Sequence, residues 1–276
     1  MKQQQDNSII SDHNNSHNIT LPFLLKELRL GGIRKSWQET TKIANANSWE
    51  YSKYLSILCE KEIANRYKTR TARYIRESKL PSAKTLSGFN FDNLSIDKQK
   101  ILNLANNDEW VRNNENILLF GPSGVGKTHL ASAIARSMIE KGVRVKFSST
   151  IAMVQQLQKA KKDLVLIDEL SKLDKYRIII LDDIGYIKKT EIETNLLFEL
   201  IAHRYESGSL IITANQPFNQ WNDIFQDNMM TVAAIDRLIH HCTILECNAE
   251  SFRKRESVIR LENEKKKDQE RNHKKK

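Results

Sequence analysis

The chain is poor in the residues that staple a fold or carry it through a membrane. Its 276 residues include three cysteines (Cys59, Cys242, Cys247), four prolines and nine glycines. An odd cysteine count without Cys-x-x-Cys spacing argues against a disulfide framework and a structural zinc site, and points to a reducing, cytoplasmic setting. No apolar run approaches the ~18 residues that span a bilayer, and Met1–Thr20 lacks the apolar core of a signal peptide. No membrane association is expected.

What is present is ordinary for a globular protein, with 39% hydrophobic and 28% charged residues. The length suits one large domain plus a smaller one. The net charge of +10 is unevenly spread: Lys26–Gly88 carries 14 basic against 6 acidic side chains, Phe89–Phe252 carries 18 against 21, and Arg253–Lys276 carries 11 against 5. A nearly neutral centre with basic flanks suits a polyanionic partner such as nucleic acid or an acidic membrane surface, or else a solvated helical face and a soluble tail.

The most informative stretch is Asn116–Thr128. An apolar run, Ile117 to Phe120, enters a loop formed by Gly121, Pro122, Ser123, Gly124, Val125, Gly126, Lys127 and Thr128, which matches G-x-x-x-x-G-K-[ST]. Small residues let backbone N–H groups converge on phosphate oxygens, and the helix expected over His129–Glu140 adds the positive end of its dipole. In such a loop Lys127 reaches the outer phosphates of ATP and Thr128 holds Mg2+.

Upstream, Met1–Thr20 is rich in Gln, Asn, Ser and His and is expected to be a disordered arm. Residues 21–80 read as a small all-helical domain: a short helix from Leu21 ended by Gly31-Gly32, a second over Ser36–Ala46, and a long one after Asn47 with Leu55, Leu58, Cys59, Ile63 and Tyr67 expected as its buried stripe. On another face of that helix Arg66, Arg70 and Arg73 align their charges, an arrangement open to DNA phosphates, to an acidic protein groove or to solvent alone. Pro81 ends the helix, and Leu86, Phe89 and Phe91 read as a strap docking onto the next domain, over 81–252. The basic stretch 253–276 reads as a tail.

Two apolar runs end in acids. Leu164–Glu169 has leucine and isoleucine at helical spacing, with Asp163 in position to cap it, and is read as a helix. Arg177–Asp183 is a compact β-branched run closed by Asp182-Asp183, as expected of a buried parallel strand with acids at its carboxyl end. A helix over Glu191–Glu206 stopped by Gly208, a buried strand Leu210–Asn215 ending in polar Thr213 and Asn215, a helix Val232–Ile239 and a strand Thr243–Cys247 follow. Alternating strands and helices imply a doubly wound parallel α/β sheet.

Together, Gly121–His129, Ile-Leu-Asp182-Asp183-Ile-Gly-Tyr, Thr-Ala-Asn215-Gln-Pro-Phe and Ile-Asp236-Arg237-Leu-Ile-His-His resemble the IstB-type helper ATPases of bacterial insertion sequences, AAA+ proteins related to DnaC-type helicase loaders. The resemblance runs over Leu21–Arg255. It implies a five-stranded AAA+ P-loop fold, ATP and Mg2+ as cofactors, and DNA-stimulated hydrolysis. Asp182 joins Thr128 around the metal, Asp183 orients the attacking water, Asn215 senses the outer phosphate, and Arg237 acts as an arginine finger toward a neighbouring subunit. Asp183 stands where the wider class has glutamate. The partners implied are DNA without strong sequence preference, a transposase and further copies of the chain. Loading a replicative helicase is the alternative, and a neighbouring transposase gene is the feature that separates the two.

Overall fold

The computed structural model describes residues 19–91, 96–185, 190–216, 221 and 228–247, and of 228–231 the backbone alone. The expected arm falls outside these residues except for Ile19 and Thr20, which are helical, and the tail from Arg253 falls wholly outside them. The chain divides into two compact units, the first ending at Arg73 and the second beginning at Tyr74. That division lies inside a helix, ahead of the boundary expected near Leu80, because Tyr74 and Ile75 already pack into the core of the second unit.

In the first unit, helix α1 covers 19–27, α2 is Gly31–Ala46 and α3 is Tyr51–Ser78. Leu25, Ile33, Trp37 and Leu58 form its small core. Gly31-Gly32 opens α2 and does not merely end α1. The turn between them is made by Arg29, at φ 56°. Glu62 of α3 explains why: its carboxylate accepts the Gly32 N–H at 2.6 Å and the Ile33 N–H at 3.1 Å, satisfying donors that a helix start leaves open. A Cβ on Gly32 would sit 2.8 Å from the Glu62 backbone, so only glycine lets the helices approach this closely. Burial pushes the Glu62 carboxyl up, but hydrogen bonds from Arg66, Ile33 and Gly32 outweigh it and hold the group below the usual carboxylate range.

The expected stripe on α3 is corrected by this packing. Leu58 is buried, but Leu55 is 59% and Ile63 68% exposed, with Cys59 and Tyr67 also outward. The inward line is Tyr54, Leu58 and Glu62, since α2 covers one ridge of α3 and Glu62 must reach the α2 N-terminus.

The second unit is built on a parallel sheet in the order β2-β3-β4-β1-β5, with β1 at Asn116–Phe120, β2 at Val145–Ser149, β3 at Ile178–Asp182, β4 at Ser209–Ala214 and β5 at Cys242–Glu246. Successive side chains alternate between two cores, as a strand dictates. Ile117, Leu119, Ile178, Ile180 and Ile211 face α4 (Lys98–Asn106), α5 (Glu109–Arg112) and α6 (Lys127–Glu140). Leu118, Phe120, Ile179, Leu181, Leu210 and Ile212 face α7 (Thr150–Lys162), α8 (Leu166–Leu173), α9 (Glu191–Arg204) and α10 (Asn228–Ile239). Covered on both faces, the strands read as continuous apolar runs. The run Leu164–Glu169 leads into a helix as expected, but that helix begins at Leu166, and Asp163 ends α7 and does not cap α8. The turn between them is taken by Leu164, at φ 58°.

The strap packs where expected. Leu86, Phe89 and Phe91 lie on the α6 side of the sheet, the Thr85 carbonyl sits 2.8 Å from His129 Nε2, and Phe89 and Phe91 meet edge to face.

Candidate nucleotide site

The site forms where β1, β3 and β4 end, because β4 lies between the other two and brings their carboxyl termini under one loop. The loop 121–126 turns through positive φ at Gly121 (146°), Gly124 (85°) and Gly126 (102°), and Gly126 caps α6. A Cβ at Gly126 would come 2.7 Å from the Phe89 ring, so the strap presses against the loop where it becomes helix. These conformations favour glycine, and the loop leads straight into a helix N-terminus, the arrangement that suits polyphosphate.

Lys127 is 6% exposed. Its ammonium donates to the Gly121 and Pro122 carbonyls, each at 2.8 Å, and to Asn215 Oδ1 at 2.7 Å. The Asn215 amide in turn donates to Asp183 Oδ1 at 2.9 Å, so Lys127, Asn215 and Asp183 form one chain from the start of α6 past the ends of β4 and β3. The Thr213 hydroxyl donates to Asp182 Oδ1 at 2.7 Å and accepts the Asp183 N–H at 2.8 Å, while the Thr213 carbonyl accepts the Ile184 N–H at 2.9 Å. Asp183 sits at φ 64°, a left-handed conformation that costs energy outside glycine, and these bonds hold it there. Thr150 fixes the next atom along, donating to the Asp182 carbonyl at 3.0 Å.

The structure therefore gathers Lys127, Asp182, Asp183 and Asn215. Thr213 and Thr150 are participants not singled out as site residues from sequence, and Thr213 alone of the two touches both acids through its side chain. The signal was available, since a hydroxyl in a buried strand must find a partner and the neighbouring strand ends in two carboxylates. Beneath the loop, burial pushes the Cys247 thiol up to about 11.

Arg237 lies elsewhere. Near the end of α10, its guanidinium donates to the Ala233 carbonyl at 3.0 Å and lies over the Phe198 ring at 5.1 Å. It borders a recess of about 240 Å³ with Asn113, Asn116, Tyr205 and His241. Asn116 opens β1 and His241 precedes β5, so the recess is at the amino end of the sheet, opposite the loop. Arg66, Arg70 and Arg73 belong to the first unit, where they line one concavity together with Arg29.

The residues present suit the implied cofactors. Asp182 and Thr128 supply the hard oxygen donors that Mg2+ favours, and the glycine turns with buried Lys127 suit a triphosphate.

Sheet order, phosphate loop and acidic strand end together define a P-loop NTPase of the AAA+ class. The chain belongs to the IstB-like ATP binding protein family, whose model matches residues 23–259. An insertion sequence ATP-binding protein of Sinorhizobium fredii is 44% identical over 89% of this chain and 83% of its own length. The ATP-binding protein of insertion sequence IS21 from Pseudomonas aeruginosa is 34% identical over 86% of this chain and 89% of its own. Among solved structures, DnaI shares the fold with a TM-score of 0.51 at 18% identity, covering 60% of this chain and 92% of that one. Domain III of the Thermotoga maritima replication initiation protein DnaA does so with a TM-score of 0.50 at 19% identity, covering 67% and 76%. Among the described residues no helix is long and apolar enough to cross a membrane.

Proposed function

We propose that this chain is an ATP-hydrolysing helper of insertion-sequence transposition that assembles on DNA and recruits a transposase. The observation that supports hydrolysis is the Lys127–Asn215–Asp183 chain beside the Thr213–Asp182 pair, a buried cation and two carboxylates gathered at the carboxyl ends of neighbouring strands. Lys127 and the loop bind the phosphates, Thr128 and Asp182 hold Mg2+, and Asp183 orients the water and takes its proton. The metal, when bound, neutralises charge developing on the phosphoryl oxygens.

DNA binding is supported by the +6 of Arg253–Lys276 and by the basic excess of Lys26–Gly88, which stays at 10 against 6 with Arg29, Arg66, Arg70 and Arg73 set aside, and both suit phosphate contacts that tolerate sequence. The place of Arg237, on the far side of the sheet from its own phosphate loop, supports action on a neighbouring subunit and so an ATP-dependent oligomer. The insertion-sequence relatives support the transposase as partner.

Phosphate release measured with and without duplex DNA, beside sedimentation of the same samples, tests the proposal. Turnover and particle size should rise together when ATP and DNA are both present. Turnover indifferent to DNA in a chain that stays monomeric would overturn it.

A further inference from the structure

The first unit carries a concavity of about 550 Å³ that the nucleotide chemistry does not use. Four of its lining residues are arginines: Arg29 from the turn before α2, and Arg66, Arg70 and Arg73 from α3. Apolar surface lies among them, with Ile63 68% and Tyr67 47% exposed. The guanidinium of Arg70 lies 5.8 Å from the centre of the Tyr67 ring. One carboxylate is built into the wall. Glu62 binds the α2 N-terminus and takes the Arg66 Nε–H at 2.7 Å, so a carboxylate already occupies the ground shared by helix end and guanidinium.

We infer that this concavity is a docking site for a short acidic segment of a partner protein that carries a large apolar side chain, with carboxylates on Arg29, Arg70 and Arg73 and the apolar group on Ile63 and Tyr67. Charge and shape select this occupant. Guanidinium forks match carboxylates, and a recess of this size holds side chains, whereas a duplex backbone meets raised, polar surfaces and gains nothing from exposed isoleucine and tyrosine. A second copy would set one cationic unit against another, and Arg253–Lys276, at +6, is repelled in the same way. On the reading proposed above the segment belongs to the transposase. The site itself does not depend on hydrolysis.

The test uses the full chain without nucleotide and a fluorescent peptide alternating Glu with Leu around one Trp, followed by anisotropy. The same peptide with Lys for Glu, and one with Gly for Leu and Trp, serve as controls. Specific binding of the acidic apolar peptide alone is expected. Arg70→Gln with Arg73→Gln should weaken it by about tenfold or more, as loss of two charge-assisted contacts implies, and Ile63→Ser should weaken it without a charge change. Lys35→Gln with Lys42→Gln, an equal charge loss at exposed positions outside the lining, should leave it unchanged. In parallel, the salt dependence of duplex DNA binding should be the same for wild type and Arg70→Gln/Arg73→Gln. A slope flattened by about 0.9 per arginine removed would make these residues phosphate contacts and overturn the proposal. Equal binding of all three peptides, or equal loss with the lysine pair, would overturn it as mere charge attraction. No binding of the acidic apolar peptide would overturn it outright. None of these outcomes bears on DNA-stimulated ATP turnover, which is read separately.

Discussion

The Thr213 hydroxyl stands between two consecutive acids, giving its proton to Asp182 Oδ1 at 2.7 Å and receiving the Asp183 N–H at 2.8 Å. One side chain of β4 thus fixes both the orientation of Asp182 and the left-handed backbone of Asp183. Thr213→Val keeps the shape and removes both bonds. A hydrogen bond to a charged group contributes about 1.5 to 3 kcal/mol, so if it acts in the transition state turnover should fall by about 10- to 150-fold. ATP affinity should change little, because Lys127 and the loop are untouched. Unaltered turnover in the variant would reduce Thr213 to a strand-packing role.

The choice of acidic strand yields a second test. Lys127→Ala should lose binding of a fluorescent ATP analogue, since the loop loses its buried cation. Asp183→Asn should bind ATP and fail to turn it over. Asp168→Asn and Glu169→Gln should behave like wild type in turnover, because both lie on α8, where Glu169 pairs with Gln156 at 2.6 Å and Lys172 at 3.1 Å. Loss of turnover on changing Asp168 would move the metal site to the other run.

The place of Arg237 gives the third. Arginine fingers supply about 10³ to 10⁵ in rate, roughly 4 to 7 kcal/mol of transition-state stabilisation, beyond what an exposed ion pair contributes. Arg237→Ala should bind ATP yet be nearly inactive. Mixing it with inactive Lys127→Ala should restore turnover, because the second protein lends its Arg237 to an intact loop in the first. Full activity of Arg237→Ala alone, or no recovery in mixtures shown by sizing to contain hetero-oligomers, would defeat the idea.

The fourth concerns Glu62. Its carboxyl titrates below the ordinary 4.5, held there chiefly against burial by Arg66, Ile33 and Gly32, so its contribution is present above that value and is lost as pH falls through the lower folded value. Near neutral pH, Glu62→Gln should destabilise the first unit by about 1 to 3 kcal/mol, the cost of weakening bonds to a buried charged partner. The variant and wild type should converge as the pH drops below about 4.5. Hydrogen exchange at the Gly32 and Ile33 amides reads the effect locally, and a pH-independent difference would mean that the charge is not what matters.

Local chemistry made much of the second unit legible. The phosphate loop must follow a strand and open a helix, and the structure has β1, Gly126 and α6 in that order. The run 177–183 ended in acids because a fully covered parallel strand offers polar ground only at its end, and β3 is buried up to Leu181. The helix of the competing run was legible from spacing. Its cap was not, because α7 continues to Lys162 and claims Asp163 as its own C-terminal residue.

In the first unit spacing misled. Leu55, Cys59, Ile63 and Tyr67 fall four apart and looked like a buried stripe, yet that ridge faces outward. Periodicity states which residues share a face, not which face the neighbouring helix covers. The decision rested with Glu62, a charged residue buried at 5% exposure by a partner thirty positions earlier in the chain.

The sequence by itself determined the phosphate loop, the strand bearing Asp182 and Asp183, and the alternation that yields a parallel sheet. These depend on backbone conformations and on contacts between neighbours in the chain. Only the tertiary structure decided that Asn215 joins Lys127 to Asp183 and that Thr213 meets both acids. It also decided that Arg66, Arg70 and Arg73 close around a recess with Arg29. Strand order and helix packing are settled by burial summed over the whole core, a quantity that no local run of residues contains.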